Sequence, residues 1–302
     1  MSGGEEGKIR RWRVEDGKEA GTPMNAGSAV WDMAASQDGK WIVAGTDSGQ
    51  VTVWNAESRK KATEFKAHRL AVHAVDISPD GTKIATGSDD TTVCVWSRST
   101  GQQLLGPLSY GFIDSVVAVK LSPDGRLVAA AVLCRGSVRV WDTHGDGRLI
   151  VDCPISISWV QNASLAWTND SKQLFILSDD DYVNCLDVYV GKALHKWLIH
   201  SNGRAWSIAL ACNGSFLVVS HQSSVSFWDT RTYKQIGSPV SHTFTREITS
   251  MVISPNFGIG VCGDKKIIVL PGLLDAFPSL YFDKCDAHSS AHFDNVCIFQ
   301  DA

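Results

Sequence analysis

No stretch of this 302-residue chain approaches the ~18–20 uninterrupted apolar residues that a membrane-spanning helix needs. The longest candidate, Ile259 to Leu270, is broken by Gly263-Asp264-Lys265-Lys266. The opening residues, Met1-Ser2-Gly3-Gly4-Glu5-Glu6, hold no apolar segment, so no secretory signal is expected. Positive charge is scattered, and 28 basic against 32 acidic residues leave a net charge of −4. A nucleic-acid surface requires a basic patch or stripe, so nucleic acid is set aside as a partner, and a membrane with it. Eight cysteines are present, but none forms a C-x-x-C pair, which removes zinc ribbons and thioredoxin-like redox chemistry. Cys94, Cys185 and Cys262 fall in strand-like segments, where Cys behaves as a small hydrophobe. Free thiols in a reducing interior are expected, which points to the cytoplasm, with the nucleus as the other compartment that fits.

Signatures of catalysis are equally scarce. The chain has no G-x-x-x-x-G-K-[ST] phosphate loop, no H-E-x-x-H zinc motif and no G-x-S-x-G elbow. Gly258-Ile259-Gly260-Val261-Cys262-Gly263 has the form G-x-G-x-x-G, yet it overlaps one strand and leads into another instead of opening a helix. His288 and His292 lie near Cys285 and Asp286, but with no C-x-x-C to join them the segment reads as a polar tail. Asp179-Asp180-Asp181 reads as a solvated turn rather than a cation site. No enzyme activity, catalytic residue, cofactor or metal is therefore expected.

What the sequence does have is repetition. Gly49-Gln50-Val51-Thr52-Val53-Trp54 is echoed by Thr91 to Trp96, Gly136 to Trp141 and Ser223 to Trp228. Each copy alternates apolar and polar residues with period 2, as a half-buried strand does. Tyr182 to Asp187 and Lys266 to Leu270 are copies without the Trp, and Gly7 to Trp12 is another with it. The strand ends fall at 12, 54, 96, 141, 186, 228 and 270, so neighbours are spaced by 42 or 45 residues. About 16 residues before several of them comes a turn: Asp38-Gly39, Ser78-Pro79-Asp80-Gly81 and Ser122-Pro123-Asp124-Gly125. Apolar strands flank each turn, such as Val72 to Ile77 with Lys83 to Thr86, and Val116 to Leu121 with Leu127 to Ala131. A fourth strand follows the Trp at 101–108 and 233–240, and 17–24 matches those two. Four antiparallel strands repeated radially at ~40–45 residues make a β-propeller.

With turn, strand, Trp and period recurring together, the chain resembles the WD-repeat β-propeller family over residues 7 to about 270. More loosely, it is similar to WD-repeat proteins of fungi, whose propellers are sometimes joined to NTPase or kinase modules. The resemblance implies an all-β propeller of seven blades, one of them split or incomplete. It further implies a non-catalytic scaffold that binds peptide or domain partners on the channel face. The alternative it leaves open is a sensor or regulatory module of a multidomain signalling protein. Such a propeller is expected as a monomer on its own or as part of a complex.

In that family a His, a Ser or Thr, an Asp and the Trp form a hydrogen-bonded tetrad. The resemblance assigns it to His68, Ser88, Asp90 and Trp96, with Thr86 as the other candidate hydroxyl. His200 and His242 hold similar positions before strands, and Asp180 holds that of the tetrad Asp. Trp54 has no obvious His, and Leu186 and Leu270 cannot donate, so those blades are expected to rest on apolar packing. Contact positions of the family map just after the first apolar residue of each first strand: Trp31, His73, Val117, Trp206 and Thr249, with Arg204 and Glu247 upstream. Trp and Arg dominate interface hot spots, although both Trp side chains could instead pack between blades.

Residues 1–302 read as a single domain. Residues 7–24 supply the third and fourth strands of a blade that lacks its first two. In a split blade the tail, 271–302, would supply an outer strand near Phe277 to Phe282 and a first strand near Ala291 to Ile298, with little left for a second. Two readings therefore stay open: a ring that closes imperfectly over a partly disordered tail, or a piece of a longer polypeptide.

Overall fold

The computed structural model describes residues 1–13, 18–109, 111, 114–133, 136–155, 165–178, 180–199, 205–211, 214–221, 224–241, 250–253, 259–263, 266–270 and 299–300. Among the described residues every regular element is a β-strand. Blade one is β4 (Val30–Ala35), β5 (Trp41–Thr46), β6 (Gln50–Asn55) and β7 (Lys61–Lys66). Blade two is β8 (Val72–Ile77), β9 (Lys83–Ser88), β10 (Thr92–Ser97) and β11 (Gln103–Ser109). Blade three is β12 (Val116–Leu121), β13 (Leu127–Val132), β14 (Ser137–Asp142) and β15 (Leu149–Cys153). Blade four is β16 (Leu165–Trp167), β17 (Gln173–Leu177), β18 (Tyr182–Asp187) and β19 (Lys192–Leu198). Blade five is β20 (Ala205–Leu210), β21 (Phe216–His221), β22 (Ser224–Asp229) and β23 (Gln235–Ser241). Blade six shows three strands, β24 (Ser250–Ile253), β25 (Ile259–Gly263) and β26 (Lys266–Leu270). Within each blade consecutive strands pair antiparallel, as short turns dictate.

The first strands lie side by side in sequence order, β4 next to β8, β8 next to β12, and onward to β24. That succession makes a β-propeller. The gap between blades six and one is filled from both ends of the chain by a split blade seven. β27 (Phe299–Gln300) lies beside β24 and β4, and pairs in parallel with β1 (Ser2–Gly3). Ser2 in turn bridges to Arg10, next to β2 (Lys8–Ile9), which pairs with β3 (Met24–Asn25). β2 and β3 thus stand as third and fourth strands, but the second strand lies at Ser2–Gly3, a polar dipeptide with no strand signature. Among the described residues, the first-strand position belongs to Phe299–Gln300, just beyond the segment the register suggests. Phe277 to Phe282 lies outside the described residues.

The core is not one mass but a series of layers between successive blades. Ile9, Met24, Val30, Met33, Ile42 and Trp54 pack together between blades seven and one. Val43, Val53, Val72, Val75, Ile84 and Trp96 do the same between one and two. Sheets stacked in this way bury both faces. The polar members of the third strands, which read as solvent-facing, are therefore mostly enclosed: Thr52, Asn184 and Ser226 are buried, while Arg139 is half-buried.

Candidate rim of the channel

Four first strands share one irregularity. The ladder between first and second strands slips between Val30 and Asp32, Val72 and Ala74, Val116 and Ala118, and Ala205 and Ser207. The extra residue in each case is Trp31, His73, Val117 or Trp206. A bulge leaves one residue outside the pairing and re-aims its side chain. The expected contact positions are therefore the ones the backbone sets apart. Arg204, Glu247 and Thr249 lie outside the described residues.

On blades one to three these side chains join a continuous polar line. The Trp31 indole N–H donates to Asp47 Oδ1 at 3.1 Å. Its ring meets His73 edge-on, with centroids 4.7 Å apart at 61°. His73 Nε2 lies 2.9 Å from Asp89 Oδ2, and the Ser115 hydroxyl donates to Asp89 Oδ1 at 2.5 Å. Trp31 and His73 remain part-exposed, and Trp31 contacts the next blade through His73. The line contains Ser, His and Asp, but its hydroxyl bonds the carboxylate instead of the imidazole. A nucleophile needs the base beside it, so this order holds the imidazole in place without activating the serine. Trp206 stands apart, with its indole N–H buried and unpartnered among the described residues. Val117 is buried.

Asp47 and Asp89 carry no flag in a motif search, yet both fall two residues after a second-strand glycine, Gly45 and Gly87. That shared offset was the available signal. Further along the same strands, blades one to three carry Asp32, Asp76 and Lys120. Asp32 accepts the N–H of Met33 at 2.8 Å and of Val75 on the next blade at 2.9 Å. Asp76 accepts the N–H of Leu121 at 2.8 Å and the Lys120 ammonium at 2.7 Å. Burial pushes the Asp32 carboxyl up to about 7, against the lowering effect of its two N–H donors and Lys120. The Lys120 ammonium is raised above its ordinary value, chiefly by Asp76, with Asp32 assisting.

The buried tetrad is complete in blade two, but its hydroxyl is Thr86, not Ser88. His68 Nε2 lies 2.6 Å from Thr86 Oγ1, and the Trp96 indole donates to the same oxygen at 2.9 Å. His68 Nδ1 lies 3.1 Å from both Asp90 oxygens. Successive strand residues point to opposite faces, but 86 and 88 share one, so depth decides between them. Ser88 sits at the strand end, where it accepts the Asp90 N–H at 3.0 Å and donates to Leu70 O at 3.4 Å. Burial alone would raise the Asp90 carboxyl, but His68, Thr92 and the Arg69 N–H outweigh it and hold it well below the usual carboxylate range. In blade four, Asp180 instead meets Lys196 at 2.6 Å and the Ser178 hydroxyl. Among the described residues no group of three or more His, Cys, Asp or Glu is placed to hold a metal, and Cys285, Asp286, His288 and His292 lie outside them.

Split blade seven repeats the Trp–hydroxyl contact: the Trp12 indole donates to Ser2 Oγ at 2.9 Å. Ser2 bridges Arg10, two residues before Trp12, just as Thr86 pairs with Cys94, two before Trp96. No curated protein matches the chain. Three stretches, 21–55, 59–97 and 109–142, match the family model "WD domain, G-beta repeat". The first runs from β3 through β6 and the second holds β7 through β10, so each links the outer strand of one blade to the next blade's first three. Together they cover about a third of the chain and support a WD-repeat family, whose members generally serve as non-catalytic scaffolds for protein partners.

Proposed function

We propose that this protein is a non-catalytic platform that binds a peptide or a folded domain across the channel rim. Trp31, His73 and Trp206 are the contact residues, with Arg204, Glu247 and Thr249 as the further contacts the sequence suggests. The observation that carries this reading is the recurrent bulge. It sets aside the same position in four blades, and in two of them the polar edge of the ring is already satisfied by Asp47 or Asp89. Such rings present their faces to a partner at little desolvation cost, the usual property of hot-spot aromatics. Cys94 and Cys185 are buried free thiols, which supports a reducing compartment, cytoplasm or nucleus. The platform acts as a monomer or as one member of a complex.

Affinity capture with the full chain and with Trp31→Ala, His73→Ala and Trp206→Ala, each checked by melting temperature, tests the reading. Trp31→Ala is expected to lose the partner while melting close to the parent. A captured set unchanged by all three variants would overturn it.

A further inference from the structure

We infer that the free edge of β19, on the outside of blade four, accepts an added strand from an acidic segment of a partner protein that alternates apolar and carboxylate residues. Every open blade ends in a strand whose outward N–H and C=O groups invite pairing, and proteins blunt such edges by recognisable means. β11 carries Gly106-Pro107 and two register slips, and Pro offers no N–H. β23 carries Gly237-Ser238-Pro239 and a slip. β15 spans five residues with Asp152 exposed, and β3 spans two. β7 mixes Lys61, Glu64 and Lys66 and shows no large exposed hydrophobic.

β19 also slips register, at Leu194, but differs from all of these in composition. Its seven residues include neither Gly nor Pro nor any carboxylate. Tyr189, Val190, Leu194 and Leu198 on the β18–β19 hairpin make up four of the seven large hydrophobics exposed among the described residues. The backbone on its outer side is open at defined positions. The Ile199 N–H donates to Asp181 O at 2.9 Å, and Leu198 stands opposite Tyr182. Alternation then turns the N–H groups of Trp197 and His195 inward and those of Lys196 and Leu198 outward.

Charge selects the occupant. Lys192 and Lys196 are exposed on the strand; Lys196 lies between Asp180 and the Tyr182 ring, while Lys192 makes no ion pair among the described residues. A second copy of β19 would bring lysines to lysines with no carboxylate between them, so the strand discourages its own kind. Lys196 and Leu198 share one face of this edge and His195 and Trp197 the other, so an added strand that sets its carboxylates against Lys196 lays its apolar positions beside Trp197.

The test uses the full-length protein and a fluorescent peptide of about eight residues that alternates valine with glutamate, the length of a typical strand. Binding by anisotropy is expected, with hydrogen exchange slowed at Lys196 and Leu198. Substituting lysine for glutamate in the peptide, or N-methylating alternate peptide nitrogens, should weaken binding by about tenfold or more. Lys192→Glu should reverse the charge preference without altering the melting temperature. Trp31→Ala should leave peptide binding intact, so the outcome stands apart from that of the channel rim. Equal binding of the lysine peptide, undiminished binding of the N-methylated one, unslowed exchange at Lys196 and Leu198, or self-association through β19 would each overturn the inference.

Discussion

Blades one and two share a four-strand plan with blades four and five, yet the two pairs are held together by different means. One column of the second strands shows it. Gly45 and Gly87 sit opposite Val51 and Val93, and split blade seven has Gly3 at the same place. A Cβ added at Gly87 would stand 2.5 Å from Val116 Cγ1 on the next blade, and one at Gly45 2.6 Å from Val72 Cγ1. Later blades fill the column: Ala131, Leu177 and Ser220 all pair with the corresponding valine, Val138, Val183 and Val225. The early blades approach closely over glycine; the later ones stand off over a side chain. The hydroxyl under the Trp shifts in parallel. Thr86 and Ser2 reach it from the second strand, whereas Trp228 donates to Ser226 on its own strand at 2.9 Å, and blade four has Leu186 instead. What the ring requires is a filled inter-blade layer, and the tetrad is one way of supplying it. The family model matches both glycine blades and blade three, where Ala131 is the smallest side chain that fills the column.

The filled column offers the strongest way to break this comparison. Leu177 is buried between blades four and five, so Leu177→Ala should cost about 2–5 kcal/mol, the usual range for a core cavity. Gly87→Ala should cost about 1–3 kcal/mol in the opposite manner, by overpacking against Val116. Chemical unfolding of both variants checks it, and a neutral Gly87→Ala would show that the early blades are not closely apposed.

The tetrad separates the halves next. Thr86→Val strands both the Trp96 indole and the His68 imidazole, so a loss of about 2–4 kcal/mol is expected from two buried unpaired groups. Ser226→Ala strands only the Trp228 indole and should cost about half as much. Ser88→Ala disturbs a cap at the strand end and should cost under about 1 kcal/mol. Equal losses for Thr86→Val and Ser88→Ala in thermal unfolding would return the tetrad to the alternative hydroxyl.

The strands and their period were legible because period-2 alternation, turn residues and Trp recur together. The choice between Thr86 and Ser88 was not, since both lie on the same strand face and only depth distinguishes them. Ser2-Gly3 was illegible as a strand because a two-residue segment has no periodicity; its sign was the Trp12 waiting for a hydroxyl. The contact positions were placed by resemblance, and the bulges beneath them depend on a register that sequence does not display. Asp32 and Asp76 went unread because each acts on another blade, some 40 residues away along the chain: Asp32 on Val75, Asp76 on Leu121.

Those aspartates give the smallest expected effect, and one confined to the early blades, since Ser207 and Ala209 occupy the positions of Asp32 and Asp76 in blade five. An Asp in the unfolded chain titrates near 3.9, whereas Asp32 in the fold titrates at about 7. Between those values the native state binds the extra proton, so this group's contribution is full below about pH 4 and is lost as pH rises to about 7. Asp90 acts with the opposite sign: its carboxyl is held low, so its contribution is present above about pH 4 and lost as pH falls further. Urea unfolding at a series of pH values should therefore show Asp32→Asn flattening the decline between about pH 4 and 7, and Asp90→Asn flattening the acid limb alone. An Asp32→Asn profile parallel to the parent through that window would mean that Lys120 and the two N–H donors keep the Asp32 carboxylate ionised. In that case the row Asp32, Asp76 and Lys120 would be a fixed set of charges, and the early blades would be no more sensitive to neutral pH than the late ones.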